Sequence, residues 1–432
     1  MKGLILSLAF LVVWPLSIAN ALELKAKQST LKGLLVQPLS GGNFAGKASQ
    51  MNATATPLED RNHPLKIRFN QRVGKNMDSA LKEVTKYLRV KHNDWPSGYD
   101  IEIAFEDRFT SKDGPSAAIC CALLLDSLVT GQKIDPLFAV TGDMNADGSI
   151  QPVGGVPAKV RGAFSKNCKY VAIPAKNARS LSDLVLLNGI NTVSRIQVFT
   201  INDFDETAKI AFIEKSDAVK KSIEEFQKVQ SAIFRHKSGV LKNVKVQNKL
   251  REIIELAPNH LSAKLALQVA TGKTPRTLSL QGSLEKTENS ASILIQAARS
   301  GSDPSDSLGT DDLAQAISEL KRMRLKLDKR VWSYADSIQD FGKLVREFKA
   351  SPPRGNTSKR KKLNEIQTAA EKIEKEVIRI RNNKELMEEE INLLPENTRV
   401  YIAHIEGTPI EDMVKTAKRI AEDGFPTMPH FP

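Results

Sequence analysis

A change in hydrophobic pattern near residue 213 constrains the fold most strongly. Between about Leu31 and Phe212, short strand-like apolar runs alternate with amphipathic helical runs, as in a single α/β (or α+β) domain. Beyond residue 213 only helical periodicity continues. The 432 residues are enough to bury two or three cores. The sequence therefore predicts an α/β domain over residues 22–212, followed by an all-α region.

The all-α region contains two kinds of pattern. The segment KLREIIELAPNHLSAKLALQVATGKTP has the helix, turn and helix of a tetratricopeptide hairpin, which predicts a tetratricopeptide-like region over 213–300. Heptad spacing then predicts one helix from Leu313 to Phe348 and a second from Leu363 to Leu394, joined by the loop SPPRGNTSKRKK. Together they predict an antiparallel coiled-coil hairpin over 311–395, and residues 396–432 form a C-terminal tail.

The N-terminus reads as a targeting segment. Lys2 is followed by an apolar run from Leu4 to Ile18 and by small residues up to Ala21, which is the pattern of a secretory signal peptide over residues 1–21. The alternative is an uncleaved anchor, but Pro15 interrupts the run and a spanning helix needs ~20 apolar residues. We expect cleavage after Ala21, export to the periplasm or the exterior, and no membrane span afterwards.

Charge and cysteine content exclude some classes of site. The net charge is +13, but Lys and Arg alternate with Glu along helical segments, which favours a solvated surface over nucleic-acid binding. The three cysteines are too few for an exported disulfide scaffold. CxxC and HExxH motifs do not occur in the sequence, so it indicates neither a metal site nor another cofactor.

Ser116 stands where the polar turn of TSKDGPSAAICCALLLDSL meets an apolar helix. A serine in that place is most often an N-cap. The alternative is a nucleophile, which needs a neighbouring base to take its proton. Because no histidine occurs between His92 and His236, the base could instead be a lysine that burial keeps neutral.

Three short motifs then occur in a recognisable order. KDGPSA, VTG and GGVPAK resemble the proteolytic domain of Lon proteases, whose nucleophile lies in DGPSAG and whose lysine closes GG-x-x-x-K. The separations agree as well, with 25 residues from Ser116 to Thr141 and 43 from Ser116 to Lys159. The resemblance extends over about 31–212. It implies that Ser116 is the nucleophile, that Lys159 is its base and that Thr141 orients the lysine.

The turn before the helix fits this chemistry. Gly114 and Pro115 would present Ser116 at a sharp bend, with its own N–H and neighbouring N–H groups directed at an oxyanion. Asp113 matches an acidic residue of the motif, and a role in holding the loop is favoured over a catalytic one. Ala118 replaces the usual glycine after DGPSA.

The predicted lysine helix has similar support. Gly154 and Gly155 would allow a close turn before Lys159. Apolar residues on the same helix would keep the amine dry, namely Val156, Val160, Ala163 and Phe164. A second departure from the family lies in the strand DIEIAF, where Glu102 and Ala104 stand at the places of two histidines found in many Lon enzymes.

The stretch GGNFAGKAS at residues 41–49 imitates a phosphate loop. It lacks the Ser or Thr that should follow Lys47, and the resemblance predicts a turn between two strands there, so we interpret it as a coincidence. The sequence thus shows no ATPase module, and we expect activity without ATP.

Together these features predict an exported, ATP-independent Ser-Lys endopeptidase that acts on flexible or unfolded polypeptides. A protein partner could bind the C-terminal helices, and the resemblance implies a homo-oligomer. The alternative hypothesis is an inactive Lon-like scaffold that serves as a protein-interaction or adaptor module in the envelope.

Overall fold

The structure is a computed structural model that describes residues 23–38, 44–107, 113–300 and 308–382, with short pieces between 400 and 429. The predicted signal peptide lies outside the described residues. So do the end of the predicted second heptad helix, including Leu394, and most of the predicted tail.

Seven strands form one mixed sheet in the order β3-β4-β2-β1-β5-β8-β9. Strands β1, β5, β8 and β9 run parallel, whereas β2 is antiparallel to both of its neighbours. A small hairpin of β6 and β7 stands apart from this sheet. The strands are β1 (Gln28–Pro38), β2 (Phe44–Pro57), β3 (Lys66–Phe69), β4 (Tyr99–Phe105), β5 (Phe138–Val140), β6 (Asp143–Met144), β7 (Ile150–Gln151), β8 (Tyr170–Pro174) and β9 (Gln197–Ile201).

Helices cover both faces of the sheet. They are α1 (Lys75–Lys91), α2 (Ala118–Thr130), α3 (Val156–Ser165), α4 (Ala178–Asn188), α5 (Asn191–Ser194) and α6 (Phe204–Ala211). Alternation along β1 directs Leu31 into a core with α1 and α2, and Leu34 into a second core with α3 and α4. Helix α2 is buried along almost its whole length. The predicted α/β domain is confirmed, and α2 lies at its centre.

The all-α region follows at once. Its helices are α7 (Asp217–His236), α8 (Val244–Leu256), α9 (Leu261–Ala270), α10 (Leu280–Ser290), α11 (Ser292–Ser300), α12 (Thr310–Met323), α13 (Trp332–Ala350) and α14 (Asn356–Arg381). Helices α8 and α9 form the predicted hairpin, which packs on α7 and on β9. In the described part of the chain, no helix is both long and apolar enough to cross a bilayer.

Backbone and side-chain bonds join this hairpin to the outer edge of β9. Thr200 N–H donates to Asn259 O at 2.9 Å, and Asn259 Nδ2 donates back to Thr200 O at 3.1 Å. Val198 N–H donates to Ser262 Oγ at 2.9 Å. We call residues 259–262 the edge segment, because they occupy the hydrogen-bonding positions of a further strand beside β9.

The predicted coiled-coil hairpin is present as α13 and α14, with two corrections. The first heptad helix is not continuous, because the chain turns at Asp328, whose carboxylate accepts the Arg330 N–H at 2.9 Å and so starts a new helical segment. Its apolar residues nevertheless remain buried on both sides of the break. The basic block SKRKK was predicted in a loop but lies in α14, which begins at Asn356.

Candidate active site

Ser116 lies in a 3-10 turn, Pro115–Ala117, that runs directly into α2. Gly114 precedes the turn with φ 143° and ψ 138°, a conformation that favours glycine. The N-cap residues of the turn and of α2 are Gly114 and Ala117, and neither element has a side-chain cap hydrogen bond. Ser116 is therefore not an N-cap, and its half-buried hydroxyl has no hydrogen-bond partner among the described residues.

Lys159 lies in the first turn of α3 and is only 2% exposed. Gly155 begins this helix with φ 69°, and a Cβ there would lie 2.5 Å from Val36 Cγ1, so the turn requires glycine. Gly154 has open space around its Cα, and the same steric argument does not apply to it.

The apolar wall around the lysine is mostly as predicted. Val156, Val160 and Ala163 are buried, but Phe164 is 42% exposed, and the prediction was wrong for that residue. Its ring lies on the outer side of α3, where the Arg195 guanidinium stands 5.7 Å from the ring centroid.

Hydrogen bonds connect the lysine to the serine turn through Thr141. Lys159 Nζ donates to Thr141 Oγ1 at 3.0 Å, and Thr141 Oγ1 donates to Ser116 O at 3.2 Å. The next residue repeats the link, since Gly142 N–H donates to Ser116 O at 3.1 Å. In the described chain, Ser116 Oγ and Lys159 Nζ are not directly bonded. The end of β5 thus joins the two predicted dyad residues.

Burial lowers the pKa of Lys159 to about 8. Within the described chain, the titratable group that acts on it is the Cys120 thiol, whose own pKa burial raises to about 12, so this group is neutral at pH 7. A shift of this size makes protonation of the amine roughly 3 kcal/mol less favourable than in water. About a tenth of the lysine is therefore in the neutral, basic form at pH 7 and most of it above pH 8, and no counter-ion in the described chain holds it in the charged form.

Asp113 lies on the surface and points toward the start of α1. Asn76 Nδ2 donates to Asp113 Oδ2 at 3.5 Å, and Asp113 packs so closely on Gly74 that a Cβ there would lie 2.1 Å from Asp113 Cγ. The carboxylate thus contacts the start of α1 beside the approach to Ser116, and its loop-holding role stays a prediction. Pro115 occupies the first position of the turn and is half-buried.

Sequence reasoning missed Asp143, which lies in β6 beside the Ser116 turn. Burial raises the pKa of its carboxyl group to about 6, and nearby Glu83 adds to the shift. Asp143 Oδ1 also accepts Met144 N–H at 2.8 Å. The available signal was its place directly after VTG.

The stretch that imitates a phosphate loop builds a packing contact. Gly46 lies in β2 against α3, where a Cβ would stand 1.7 Å from Ala158 O, and Gly162 of α3 faces the same strand. Lys47 pairs with Asp107 at 3.2 Å. A turn was predicted here, but Gly46 and Lys47 belong to strand β2. The absence of a side chain at Gly46 allows helix α3, which carries Lys159, to pack close to the sheet.

Comparison with known proteins identifies the domain that carries this arrangement. Residues 64–214 match the family model of the Lon protease (S16) C-terminal proteolytic domain. This region is a Lon-type proteolytic domain. Its match begins just before β3 and ends just before α7, and it includes Ser116, Thr141 and Lys159.

Individual relatives give the same answer. Lon protease 1 of Thermus thermophilus is 32% identical over 154 residues, which are 34% of this chain and 19% of that protein. The Lon protease of Vibrio parahaemolyticus is 26% identical over 179 residues, covering 39% and 22%. That of Methanosarcina barkeri is 39% identical over 85 residues, covering 20% and 11%. The chain thus spans about a fifth or less of these relatives, and the matches support a serine peptidase function for the Lon-type domain.

Proposed function

We propose that this protein is an exported, ATP-independent endopeptidase that hydrolyses flexible or unfolded polypeptides with Ser116 and Lys159. The observation that carries the proposal is a buried lysine that has no counter-ion within the described residues and is hydrogen-bonded through Thr141 to the turn of Ser116, whose hydroxyl is unbonded there. A purely structural scaffold gains nothing from burying an amine in this way, since burial costs free energy.

The reaction proceeds in two stages. The neutral Lys159 amine takes the proton of Ser116 Oγ while this oxygen attacks the scissile carbonyl carbon. Lys159 then returns the proton to the leaving amine, which departs and leaves an ester on Ser116. Water attacks this ester with the same amine as its base, so that the acid is released and the hydroxyl restored. Thr141 keeps Nζ directed toward the serine turn throughout.

The oxyanion can be stabilised by backbone groups of the turn. In this turn Ala118 N–H donates to Pro115 O, whereas the N–H of Ser116 precedes the i→i+3 bonds of the turn and is the donor that we propose for the oxyanion. One such donor typically lowers the barrier by ~2.7 to 4 kcal/mol.

Three further parts of the proposal have their own support. ATP independence agrees with the role of Gly46 and Lys47 in strand packing and in an ion pair with Asp107. Export rests on the signal-peptide pattern of residues 1–21. A half-buried nucleophile selects extended chains, because a folded surface cannot bring its backbone to Ser116.

The proposal also includes assembly, either of several copies of this chain or with a protein partner on the helical region. Sedimentation measurements would detect either assembly by its mass.

The test compares variants on an unstructured protein substrate. Ser116→Ala and Lys159→Met should each lose at least about 1,000-fold in cleavage rate. Lys166→Met, a matched control on the exposed end of α3, should cleave like the wild type. Cleavage that survives in either dyad variant would contradict the mechanism.

A further inference from the structure

A groove lies between β3 and α1, outside the proposed dyad. Its volume is about 820 Å³, within the ~300–1,000 Å³ typical of ligand sites. The floor is apolar and includes Leu65, Ile67, Phe69 and Leu81. The rim carries five cations and one acidic residue, namely Arg68, Arg72, Lys82, Lys86, Arg89 and Asp78.

The positive charge of this rim is only partly neutralised. Arg68 and Lys86 form ion pairs with acidic neighbours. Arg72, Lys82 and Arg89 have no ion-pair partner among the described residues, and all three are exposed. Like charges left together around one groove attract an anionic ligand.

The groove also borders a strand edge. Within the described chain β3 pairs only with β4, and it is the last strand on its side of the sheet. A strand edge offers unpaired N–H and C=O groups to an extended chain. The opposite edge, at β9, is already occupied by the edge segment 259–262.

One end of the groove leads toward the serine turn. Val73 lines the groove, and the next residue, Gly74, packs directly on Asp113, three residues before Ser116. Helix α1 also packs on the turn Pro115–Ala117. A chain lying in the groove would therefore have one end near the nucleophile.

We infer that this groove binds an acidic, extended segment of the polypeptide substrate as an added strand on β3, an inference that rests on the proposed peptidase function. The spacing of the cations on α1 also predicts how the acidic residues of that segment are spaced. Lys82 and Arg89 are two helical turns apart, about 10 Å along α1, and an extended chain spans this distance in about three residues. Successive side chains of a strand point to opposite faces, so carboxylates that share the face toward α1 stand at every second position, about 7 Å apart. The groove thus favours carboxylates at alternate positions.

The test uses two unstructured peptides that differ only in Glu or Gln at every second position. For the wild type, KM should be about fivefold lower for the Glu peptide, with similar kcat, because docking away from the reacting atoms changes binding alone. The preference should shrink in 0.5 M NaCl, since salt screens exposed charges. The double variant Lys82→Glu and Arg89→Glu should abolish it. The matched control, Lys361→Glu with Lys375→Glu on exposed positions of α14, should keep it.

A binding assay separates this inference from the proposed function. Ser116→Ala should bind the labelled Glu peptide in fluorescence anisotropy, and the two groove reversals should weaken that binding about fivefold or more. Charge-dependent binding without any cleavage by the wild type would support the groove and contradict the peptidase. Equal affinity for both peptides, or tighter binding of single-stranded DNA than of the Glu peptide, would overturn the groove assignment.

Discussion

Lys159 and His260 are both buried bases, but their surroundings differ. Burial lowers the pKa of Lys159 to about 8 and that of His260 to about 3. The His260 ring lies between Phe199 and Phe226. Its Nδ1 accepts Ala263 N–H at 3.2 Å, which leaves Nε2 to donate to Gln197 Oε1 at 3.0 Å. Among the residues that the structure describes, the Lys159 amine has one hydrogen-bond partner, the Thr141 hydroxyl.

The contrast separates a structural base from a reactive one. His260 has both ring nitrogens bonded and no room for another group, so it stabilises the contact between β9 and the helical region. Lys159 retains bonding capacity and is linked through Thr141 to the turn of Ser116, whose hydroxyl is unbonded in the described part of the chain. Burial alone therefore does not mark a functional group, whereas burial with unused bonding capacity does.

The largest expected effect is the loss of activity on substitution of Lys159, and it tests whether this lysine serves catalysis rather than the fold. Lys159→Met should lose at least about 1,000-fold in activity and yet unfold at the same or a higher temperature, because it removes a desolvated amine and keeps the volume. Thermal unfolding at pH 7 measures this. A large drop in Tm would mean that Lys159 serves the fold, as His260 does.

The second prediction concerns His260. His260→Ala should lower the free energy of unfolding by about 3 kcal/mol, because it leaves a cavity between two rings and an unpaired Gln197 amide oxygen. His236→Ala, at the exposed end of α7, is the control and should change stability by less than about 0.5 kcal/mol. Urea unfolding compares the two, and equal effects would contradict a structural role for His260.

The third prediction concerns the stability of the protein in acid, to which His260 should contribute and Lys159 should not. The pKa of His260 is lower in the folded state, so the unfolded chain binds more protons and stability falls as pH drops below 6.5 toward 3. At pH 5 the loss is about 2 kcal/mol. Lys159 is protonated in both states at pH 5 and 6 and adds little there. Urea unfolding at pH 7 and 5 should show a smaller loss in His260→Gln than in the wild type. An identical loss in both would contradict the assignment.

The smallest expected effect is the pH dependence of the cleavage rate. Since the neutral amine is the active form, kcat/KM should rise about tenfold per pH unit up to pH 8 and level off above it. Rates between pH 6 and 9 test this, with Lys166→Met as the control that keeps the profile. A flat profile would show that the ionisation of Lys159 does not limit cleavage.

Much of the fold was predictable because its signals are local. Period and length located α1 with Met77, Leu81, Val84 and Leu88 buried, and the strands β4 and β8. The pairing of Ser116 with Lys159 came from the resemblance of three motifs, and it stays a prediction for catalysis. The structure adds the Thr141 link between them.

Other features have no local signal. The bonds between Thr200 and Asn259 join residues 59 positions apart, and nothing in either segment predicts the other. The turn at Asp328 was not predicted, because the apolar residues keep heptad spacing across it and are buried in the helices on both sides. Phe164 was misassigned because an aromatic residue next to a buried position was taken as buried.

The edge segment beside β9 has a consequence for work on shorter versions of the protein. A fragment cut at the predicted boundary near residue 212 would strip Asn259 and Ser262 from β9, and a fragment starting there would expose His260 and the Phe226 ring to water. The smallest separable peptidase should therefore end after Ala270 rather than after Phe212, with the first three helices of the C-terminal half retained as part of its shell.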